Sequence, residues 1–258
     1  TTEIYTLSLH DALPIYHSSE MERQAHGAFR GRSDPSAASA ARVIYEYYGG
    51  AEAFEAPHLE DLVRAVDKAD SGAFALEEIL VPEGWDLLSF VMDPRTGLGR
   101  YKDYRISNYS LMMDMIDYCR SKSVEEILEI GDVKERTRRY FEQDRLYREM
   151  VRANTTLHGN VIVLDLRHQE EIYTGNRFLL YSLYPEQNVS IQVMWGFQRQ
   201  NIVMACGYSI VNRSCTVDIG SLMLRYGGGG HQKVGTCQVA VDRADAVLEA
   251  LIEEMRAA

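Results

Sequence analysis

Residues 225–236 read Arg-Tyr-Gly-Gly-Gly-Gly-His-Gln-Lys-Val-Gly-Thr and contain side chains and backbone groups that could bind an anion. Four consecutive glycines let backbone N–H groups approach a charged oxygen closely. Arg225, His231 and Lys233 add directional donors within a few positions. These residue types predict a phosphate-binding loop, and the alternative interpretation is a tight turn between two secondary-structure elements.

A second group of residues could bind metal ions. Metal-assisted hydrolysis of a phosphoester uses two hard divalent cations held by carboxylates and imidazoles, which activate water and neutralise the charge developing on phosphorus. Asp70 stands before Ser71 and Gly72, where a predicted helix ends, and its position fits a metal ligand and a turn or cap residue about equally well. The other candidates in the first part of the chain are His17, Glu20, Glu22, His26, Asp34 and Asp67.

Several arginines could contact a phosphate. Arg30 and Arg32 flank Gly31 and could supply forked donors, although ordinary surface charge explains them equally well. Asn176 is expected to cap a helix, and Arg177, which has a weaker claim on a phosphate, is expected to be exposed. Asp67 is expected to be a solvated charge near a helix end more often than a ligand.

The glycine-rich segment closely resembles the signature of the C-terminal domain of the DHH phosphoesterases, and Asp70-Ser71-Gly72 resembles that family's fourth motif. The resemblance covers nearly everything after Ile15. It implies that Asp70 ligates metal and that Arg213, within Asn212-Arg213-Ser214, clamps the substrate phosphate. It also implies phosphate contacts from Gly228, Gly229, Gly230 and His231. One departure is Val234-Gly235, where the family has a pair of small residues.

The beginning of the chain has a separate interpretation. Residues 1–15 match a conceptual translation of a sequencing-library adapter, so we expect a read artefact fused to a gene fragment, with natural sequence missing upstream. Tyr16-His17-Ser18-Ser19-Glu20 resembles the family's Asp-His-His motif, with Ile15 where the Asp would be; Tyr16 is either native or a misread His. The resemblance implies catalytic and metal-binding roles for His17. It also implies a defective metal centre here, because an Asp-x-Asp motif is expected upstream.

The composition of the chain limits the classes of function that it could have. The chain has 258 residues, 46% hydrophobic and 25% charged, as expected of a globular protein. No apolar run is long enough to span a bilayer. The net charge of −11 argues against a broad duplex-DNA surface. The cysteines are widely spaced without Cys-x-x-Cys pairs, which favours reduced, buried thiols and a cytoplasmic location; they are Cys119, Cys206, Cys215 and Cys237.

Hydrophobic periodicity predicts an α/β protein of two domains joined by a helical linker. With the family resemblance, the predicted parts are an artefactual leader at 1–15, the remainder of a DHH domain at 16–120, for which the resemblance implies a parallel sheet with helices, a linker at 121–154, and a smaller DHH-associated α/β domain at 155–258. A helix is predicted to start at Asp34-Pro35 and run through residues 36–48, followed by helices at 59–68 and 123–153. In the last domain we expect strands at 160–166, 189–197, 201–209 and 236–241, with helices at 176–183, 218–226 and 243–255.

The family resemblance implies a phosphoesterase that uses two Mn²⁺ ions, with Mg²⁺ as the alternative, to hydrolyse short single-stranded oligonucleotides or small nucleotide phosphoesters. The substrate is left open among dinucleotides, longer oligonucleotides, phosphoadenosine phosphate and polyphosphate. The chain as it stands is expected to be inactive, and a homodimer is one option for its assembly. The alternative function is a phosphate- or nucleotide-binding module without hydrolysis. Alanyl-tRNA synthetases share a similar C-terminal domain, but His17 and Asp70 count against that relationship.

Overall fold

The computed structural model describes residues 34, 36–54 and 56–256. The chain divides into two compact units, one ending at Gly72 and the other beginning at Ala73. The domain boundaries that the sequence predicted near residues 120 and 154 are not tested by this division, and they stay predictions.

The first unit is helical where it is described. Its helices are α1 (Ala40–Tyr47), α2 (Gly50–Ala53) and α3 (Pro57–Ser71). Helix α1 starts later than expected because Ser39, whose Oγ accepts the Arg42 amide at 3.0 Å, is the N-cap. The prediction that Asp34 caps this helix was wrong: its carboxylate accepts the Ser36 amide at 3.0 Å in a turn before the helix. Gly72, with a φ of 64°, ends α3 in the left-handed conformation.

The second unit begins with a run of helices and short 3-10 turns. The helices are α4 (Leu76–Leu80), α5 (Gly84–Met92), α6 (Asn108–Ser121), α7 (Val124–Leu128) and α8 (Gly131–Ala153), and the turns are Pro94–Thr96 and Leu98–Arg100. The segment predicted as one helix at 123–153 is divided between α7 and α8. Ser123 and Glu126 form a reciprocal capping box that starts α7, and α7 ends before Gly131.

The strands of the described chain form one mixed sheet in the second unit. They are β1 (Thr155–His158), β2 (Val161–Asp165), β3 (Val189–Trp195), β4 (Ile202–Tyr208), β5 (Gly229–His231) and β6 (Val234–Val239). The spatial order is β1-β2-β3-β4-β6-β5, with β2 and β3 parallel and the other neighbours antiparallel.

Further helices accompany the sheet: α9 (Leu179–Leu183), α10 (Ile219–Leu224) and α11 (Ala244–Arg256). One face of the sheet packs with α10 and α11, because alternate residues of β3 and β4 present apolar side chains to these helices. The buried side chains on this face include Val189, Ile191, Val193, Ile202, Met204 and Cys206. On the other face, Tyr181 of α9 hydrogen-bonds Ser190 of β3 through their hydroxyls at 2.8 Å. Helix α9 begins three residues later than predicted, since Asn176 caps a preceding turn through the Phe178 amide.

All four cysteines are free, as expected, and Cys206, Cys215 and Cys237 are buried while Cys119 is half-buried. Burial raises the pKa of the Cys237 thiol to about 11. No helix within the described ranges is both long and apolar enough to cross a membrane.

Candidate phosphate-binding site

The glycine run forms a turn and an edge strand. Gly227 has a φ of 76° and turns the chain after α10, and Gly229 to His231 then form β5. Strand β5 pairs with β6 on one side, with Gly230 opposite Gly235. It is the last strand in the sheet order, and no further strand in the described part of the chain pairs with its outer edge. The outer edge of β5 is therefore a candidate for binding a ligand through its backbone groups.

Packing explains several of the glycines. A Cβ on Gly228 would stand 2.1 Å from the carbonyl oxygen of Thr236, and one on Gly230, whose φ is 157°, would stand 2.2 Å from that of Val234. By contrast, a Cβ on Gly229 would meet nothing within 4 Å, and its φ is not positive. Neither packing nor backbone conformation within the described chain therefore requires glycine at 229.

Arg213 lies on the connection between β4 and α10, and both ends of this connection are bonded to the hairpin turn that follows His231. The Tyr208 amide donates to the Lys233 carbonyl at 2.9 Å, and the Ile219 amide donates to the Gln232 carbonyl at 2.9 Å. The side chain of Arg213 is exposed, and its Nε donates to the Ile210 carbonyl at 3.1 Å. The backbone thus joins the connection that carries Arg213 to the hairpin that carries His231.

Side-chain hydrogen bonds hold the connection between β4 and α10 in a defined conformation. The hydroxyl of Ser209 accepts the amides of Val211 and Asn212, and the Asn212 side chain donates to the Glu186 carbonyl at 2.7 Å. Asp218 ends the connection as the N-cap of α10, accepting the Ser221 amide at 3.0 Å. That hydrogen bond, together with one from the Ser221 hydroxyl, lowers the pKa of the Asp218 carboxyl.

Arg225 does not behave as the sequence suggested. Its guanidinium is paired with Glu254 of α11 rather than committed to the glycine run. Lys233 is exposed in the hairpin turn, and His231 is half-buried in β5. The side chains that could meet an anion beside the glycines are those of His231, Lys233 and Arg213.

The expected metal ligands belong to the first unit. Asp70 lies in the last turn of α3 and is exposed. Asp67, which was expected to be a solvated charge, accepts hydrogen bonds from the Ser39 hydroxyl at 2.6 Å and from Arg42 Nε at 2.9 Å. It joins α1 to α3. His17 and the other early candidates, Glu20, Glu22, His26, Arg30 and Arg32, lie outside the described residues.

No group of three or more His, Cys, Asp or Glu side chains that could hold a metal ion occurs among residues 34, 36–54 and 56–256. Asp70 alone does not fit the two-cation centre that the sequence implies, because such ions need several oxygen or nitrogen ligands each. The described residues therefore include one candidate metal ligand, Asp70, and the candidate phosphate-binding residues around β5.

Sequence reasoning did not find the surroundings of Arg177. This residue was expected to be exposed, but its side chain is about two-thirds buried and pairs with Asp93 through Nε at 3.2 Å. No local sequence signal could have found this pairing, because Asp93 is 84 positions from Arg177.

Comparison with known proteins gives a close relative. No protein-family model matches the chain, and no curated protein matches it. A solved structure described as the pGpG-specific phosphodiesterase PggH from Vibrio cholerae is 51% identical, with a TM-score of 0.76, and the match covers 86% of this chain and 74% of that one.

Two more distant structures also match. An exopolyphosphatase-related protein from Bacteroides fragilis is 15% identical, with 55% of this chain and 44% of that one covered and a TM-score of 0.37. The DHH domain of PF0399, described as a member of a family of ribosomal proteins, is 15% identical, with 83% and 53% covered and a TM-score of 0.45. Both scores are below 0.5, so neither likeness bears on the fold of this chain.

The glycine-rich segment and the relative of known structure indicate the same family, because the segment resembles the DHH phosphoesterase signature and the relative is described as a phosphodiesterase. Identity of 51% over most of both chains is far above the level at which only a fold is shared. The chain belongs to the DHH-family phosphoesterases.

Proposed function

We propose that this protein is a metal-dependent phosphodiesterase of short single-stranded oligonucleotides, with pGpG and similar linear dinucleotides as its substrates. The observation that carries the proposal is the 51% identity to a protein named as a pGpG-specific phosphodiesterase. Because the fold alone does not set the substrate, the residues of the phosphate-binding surface supply the second argument.

In this proposal Arg213, Gly228, Gly229, Gly230 and His231 hold a terminal phosphate of the substrate. The exposed guanidinium of Arg213 supplies charge-assisted, forked hydrogen bonds. The outer edge of β5 supplies backbone N–H groups, and the open space at Gly229 lets a phosphate oxygen approach them. Holding the phosphate in this way would orient the scissile diester and reduce the entropic cost of reaching the transition state.

We also propose that the activity requires divalent cations, with two Mn²⁺ ions as the expected cofactor and Mg²⁺ as the alternative. Asp70 and His17 are the ligands in this proposal. Since the described residues do not form such a centre by themselves, the chemistry proposed from them is confined to binding and orienting the phosphate.

A cytoplasmic location is part of the proposal, supported by the free thiols, which fit a reducing compartment. The homodimer stays a prediction.

The experiment is hydrolysis of pGpG by protein expressed from the gene as amplified from source DNA. Substrate loss and pG formation are followed by liquid chromatography, with cyclic di-GMP, a four-nucleotide RNA and polyphosphate as competing substrates. We expect pGpG to give the highest kcat/KM. Tight binding of pGpG without turnover in Mn²⁺ or Mg²⁺ would instead support the non-hydrolytic binding module, and preferred cleavage of polyphosphate would contradict the substrate class.

The metal requirement is measured in the same assay. Removal of metal with EDTA should abolish hydrolysis, and dialysis into Mn²⁺ should restore it more fully than Mg²⁺. Substitution Asp70→Asn should lower the rate of hydrolysis at least about 100-fold if this carboxylate is a metal ligand. Substitution Asp61→Asn on the same helix is the matched control, because Asp61 is an exposed carboxylate paired with Arg64 and should leave the rate unchanged.

A further inference from the structure

Asn188, the residue before β3, is a buried polar residue that contacts the connection carrying Arg213. It is only 7% exposed. Its backbone N–H donates to the Asn160 carbonyl at 3.1 Å, and its own carbonyl accepts the Ser209 amide at 2.8 Å. Asn188 therefore stands between the residue that precedes β2 and the residue that follows β4.

The side chain of Asn188 reaches further along the same connection. Its Nδ2 donates to the hydroxyl oxygen of Ser214 at 3.1 Å. One residue thus holds Ser209 through its backbone and Ser214 through its side chain. These two contacts close residues 209–214 into a loop, and Arg213 lies inside it. We call residues 209–214 the Arg213 loop.

Neighbouring atoms fix the orientation of the Asn188 amide. Asn160 Nδ2 donates to the Met255 carbonyl at 2.9 Å, and because a backbone carbonyl can only accept, this atom is the amide nitrogen. The same Nδ2 donates to Asn188 Oδ1 at 2.9 Å. The oxygen of Asn188 therefore faces Asn160, and its NH₂ group faces Ser214.

Both sequence neighbours of Arg213 are attached to residues 186–188. The Asn212 side chain donates to the Glu186 carbonyl at 2.7 Å, and its Oδ1 accepts the Ser214 amide at 3.2 Å. The Ser214 hydroxyl accepts from Asn188. The backbone on either side of Arg213 is therefore held against the start of β3, a strand in the middle of the sheet.

The burial of Asn188 indicates that its hydrogen bonds specify a conformation. A buried amide is unfavourable unless it is hydrogen-bonded, and an apolar residue fills a buried position without that requirement. Hydrogen-bonded polar groups in a protein interior define one arrangement of their partners. Ser214 is the exposed partner of this amide, so the arrangement defined is that of the Arg213 loop.

We propose that Asn188 is a positioning residue: its side chain holds the Arg213 loop in the conformation in which the guanidinium meets the substrate phosphate. This inference rests on the proposed function, in which Arg213 binds that phosphate. Arg213 Nε donates to the Ile210 carbonyl at 3.1 Å inside the same loop, so the direction of the side chain depends on the loop conformation. A binding group that is already ordered loses less entropy when the ligand binds. Asn188 acts through Arg213 and makes no contact with substrate in this proposal.

The first test removes the side-chain hydrogen bond. Asn188→Ala keeps the backbone bonds of residue 188 but loses the bond to Ser214. It should raise KM for pGpG about 10-fold and leave kcat within about 2-fold, because the contact that it positions holds the bound substrate and the transition state alike. Steady-state kinetics measure both constants.

Ser214→Ala removes the same hydrogen bond from its exposed side. It should raise KM by a similar factor while leaving thermal unfolding unchanged, so the test holds even if Asn188→Ala fails to fold. Ser214→Thr keeps the hydroxyl and should stay within about 2-fold of the wild-type KM. A wild-type KM in the Ser214→Ala variant would overturn the proposal.

A double-mutant cycle separates positioning from general damage to the fold. In the Arg213→Ala background, Asn188→Ala should cause no further rise in KM, because its effect passes through that guanidinium. An equal rise in both backgrounds would overturn the proposal. Gln187→Ala is the matched control and should leave KM unchanged, because the Gln187 side chain donates to the Gly159 carbonyl at 3.3 Å rather than to the Arg213 loop.

Two further measurements do not depend on hydrolysis. Hydrogen exchange followed by NMR reports on the amides of Val211, Asn212 and Ser214, which should exchange faster in Asn188→Ala because their acceptors lie within the loop. Calorimetry with pG should show an affinity about 10-fold lower than that of wild type. Faster exchange with wild-type affinity for pG would overturn the positioning role.

These outcomes separate the positioning role from the proposed function. A wild-type protein that cleaves no oligonucleotide, and in which Asn188→Ala both speeds exchange and weakens pG binding, would contradict the proposed function alone. A protein that hydrolyses pGpG with a KM that depends on Arg213 but not on Asn188 would contradict the positioning role alone.

Discussion

Gly220 of α10 lies directly against Gly230 of β5: a Cβ on Gly220 would stand 2.8 Å from the carbonyl oxygen of Gly230. The helix and the edge strand therefore meet through their backbones, a contact that no larger residue at 220 allows without a shift. That close approach accounts for Gly220, whereas Gly228 and Gly230 are required by their contacts with β6. Gly229 is different, because the space beside it is open.

The first prediction compares Gly229→Ala with Gly230→Ala. The free energy of unfolding of the Gly229 variant should lie within about 0.5 kcal/mol of the wild-type value, because the added methyl group has no atom within 4 Å. It should nevertheless bind pG about 10-fold more weakly, since the methyl occupies space proposed for a phosphate oxygen. Urea denaturation and fluorescence titration measure the two quantities.

The Gly230 variant is the matched control. Its methyl group would lie 2.2 Å from the Val234 carbonyl oxygen at a φ that favours glycine, so the free energy of unfolding should fall by about 2 kcal/mol or more. Wild-type affinity for pG in the Gly229 variant would show that the open space is not part of the phosphate site.

The second prediction concerns Arg213. Because this side chain is exposed, Arg213→Ala should leave thermal unfolding unchanged while raising KM for pGpG by about 10- to 100-fold, the loss expected for a charge-assisted phosphate contact. Arg213→Lys should recover only part of the loss, since lysine lacks the forked donor geometry. Steady-state kinetics measure both.

Arg138→Ala is the control for overall charge, because the Arg138 side chain on α8 is 71% exposed. It should leave KM unchanged. A KM shift as large as that of the Arg213 variant would mean that general electrostatic attraction, rather than a specific contact, is being measured.

The third prediction uses the ion pair between Asp165 and Arg167. Burial alone would raise the pKa of Asp165, but hydrogen bonds and charge from Arg167 outweigh it and hold the pKa below its ordinary value of 3.8. A lowered folded-state pKa contributes stability that is complete above the unfolded value and is lost as the pH falls through the folded value. The contribution should therefore be present above about pH 5 and disappear below the ordinary value.

The measurement is the free energy of unfolding of wild type and Asp165→Asn from pH 7 to pH 2. The difference should be about 1 kcal/mol near neutrality, as for a partly buried charged hydrogen bond, and should shrink towards zero at the acid end. A difference that is independent of pH would contradict the electrostatic origin. Glu253→Gln, in the exposed part of α11, is the control with no expected difference.

The sequence predicted the core strands well because β3 and β4 alternate apolar with other residues and β2 is a short continuous apolar run. The strands expected at 160–166, 189–197 and 201–209 are observed as β2, β3 and β4, each with a buried row of apolar side chains. The final helix, expected at 243–255, is observed as α11. These elements carry a local signal that tertiary contacts reinforce.

The elements and contacts that the sequence did not predict correctly have physical explanations. Strand β5 was predicted as a loop, because nothing local in four glycines indicates a strand; its pairing with β6 and the contact with α10 impose the conformation. The segment at 176–183 was predicted to be helical throughout, but Asn176 closes a turn first. Of the candidate site, the sequence indicated Arg213 and the glycines from local motifs. The environment of Arg177 depends on Asp93, 84 positions away, and could not be inferred locally.

The fourth prediction concerns Arg136 of α8, whose side chain is fully buried. Its guanidinium donates to the Ile106 carbonyl at 2.6 Å and to Asn108 Oδ1 at 3.1 Å, and it stacks on the Tyr104 ring with its central carbon 3.8 Å from the centroid. These contacts attach the segment before α6 to α8. A buried charge of this kind is tolerated because nearby acceptors satisfy its donors.

Substitution Arg136→Met should therefore lower the free energy of unfolding by about 3 kcal/mol, because it leaves the Ile106 carbonyl and the Asn108 side chain without their donor. Arg145→Met is the matched variant on the same helix. Arg145 and its partner Glu149 are both largely exposed, so its loss should cost about 1 kcal/mol or less. Urea denaturation distinguishes the two, and equal losses would mean that the segment before α6 is held by packing of the aromatic rings rather than by the buried guanidinium.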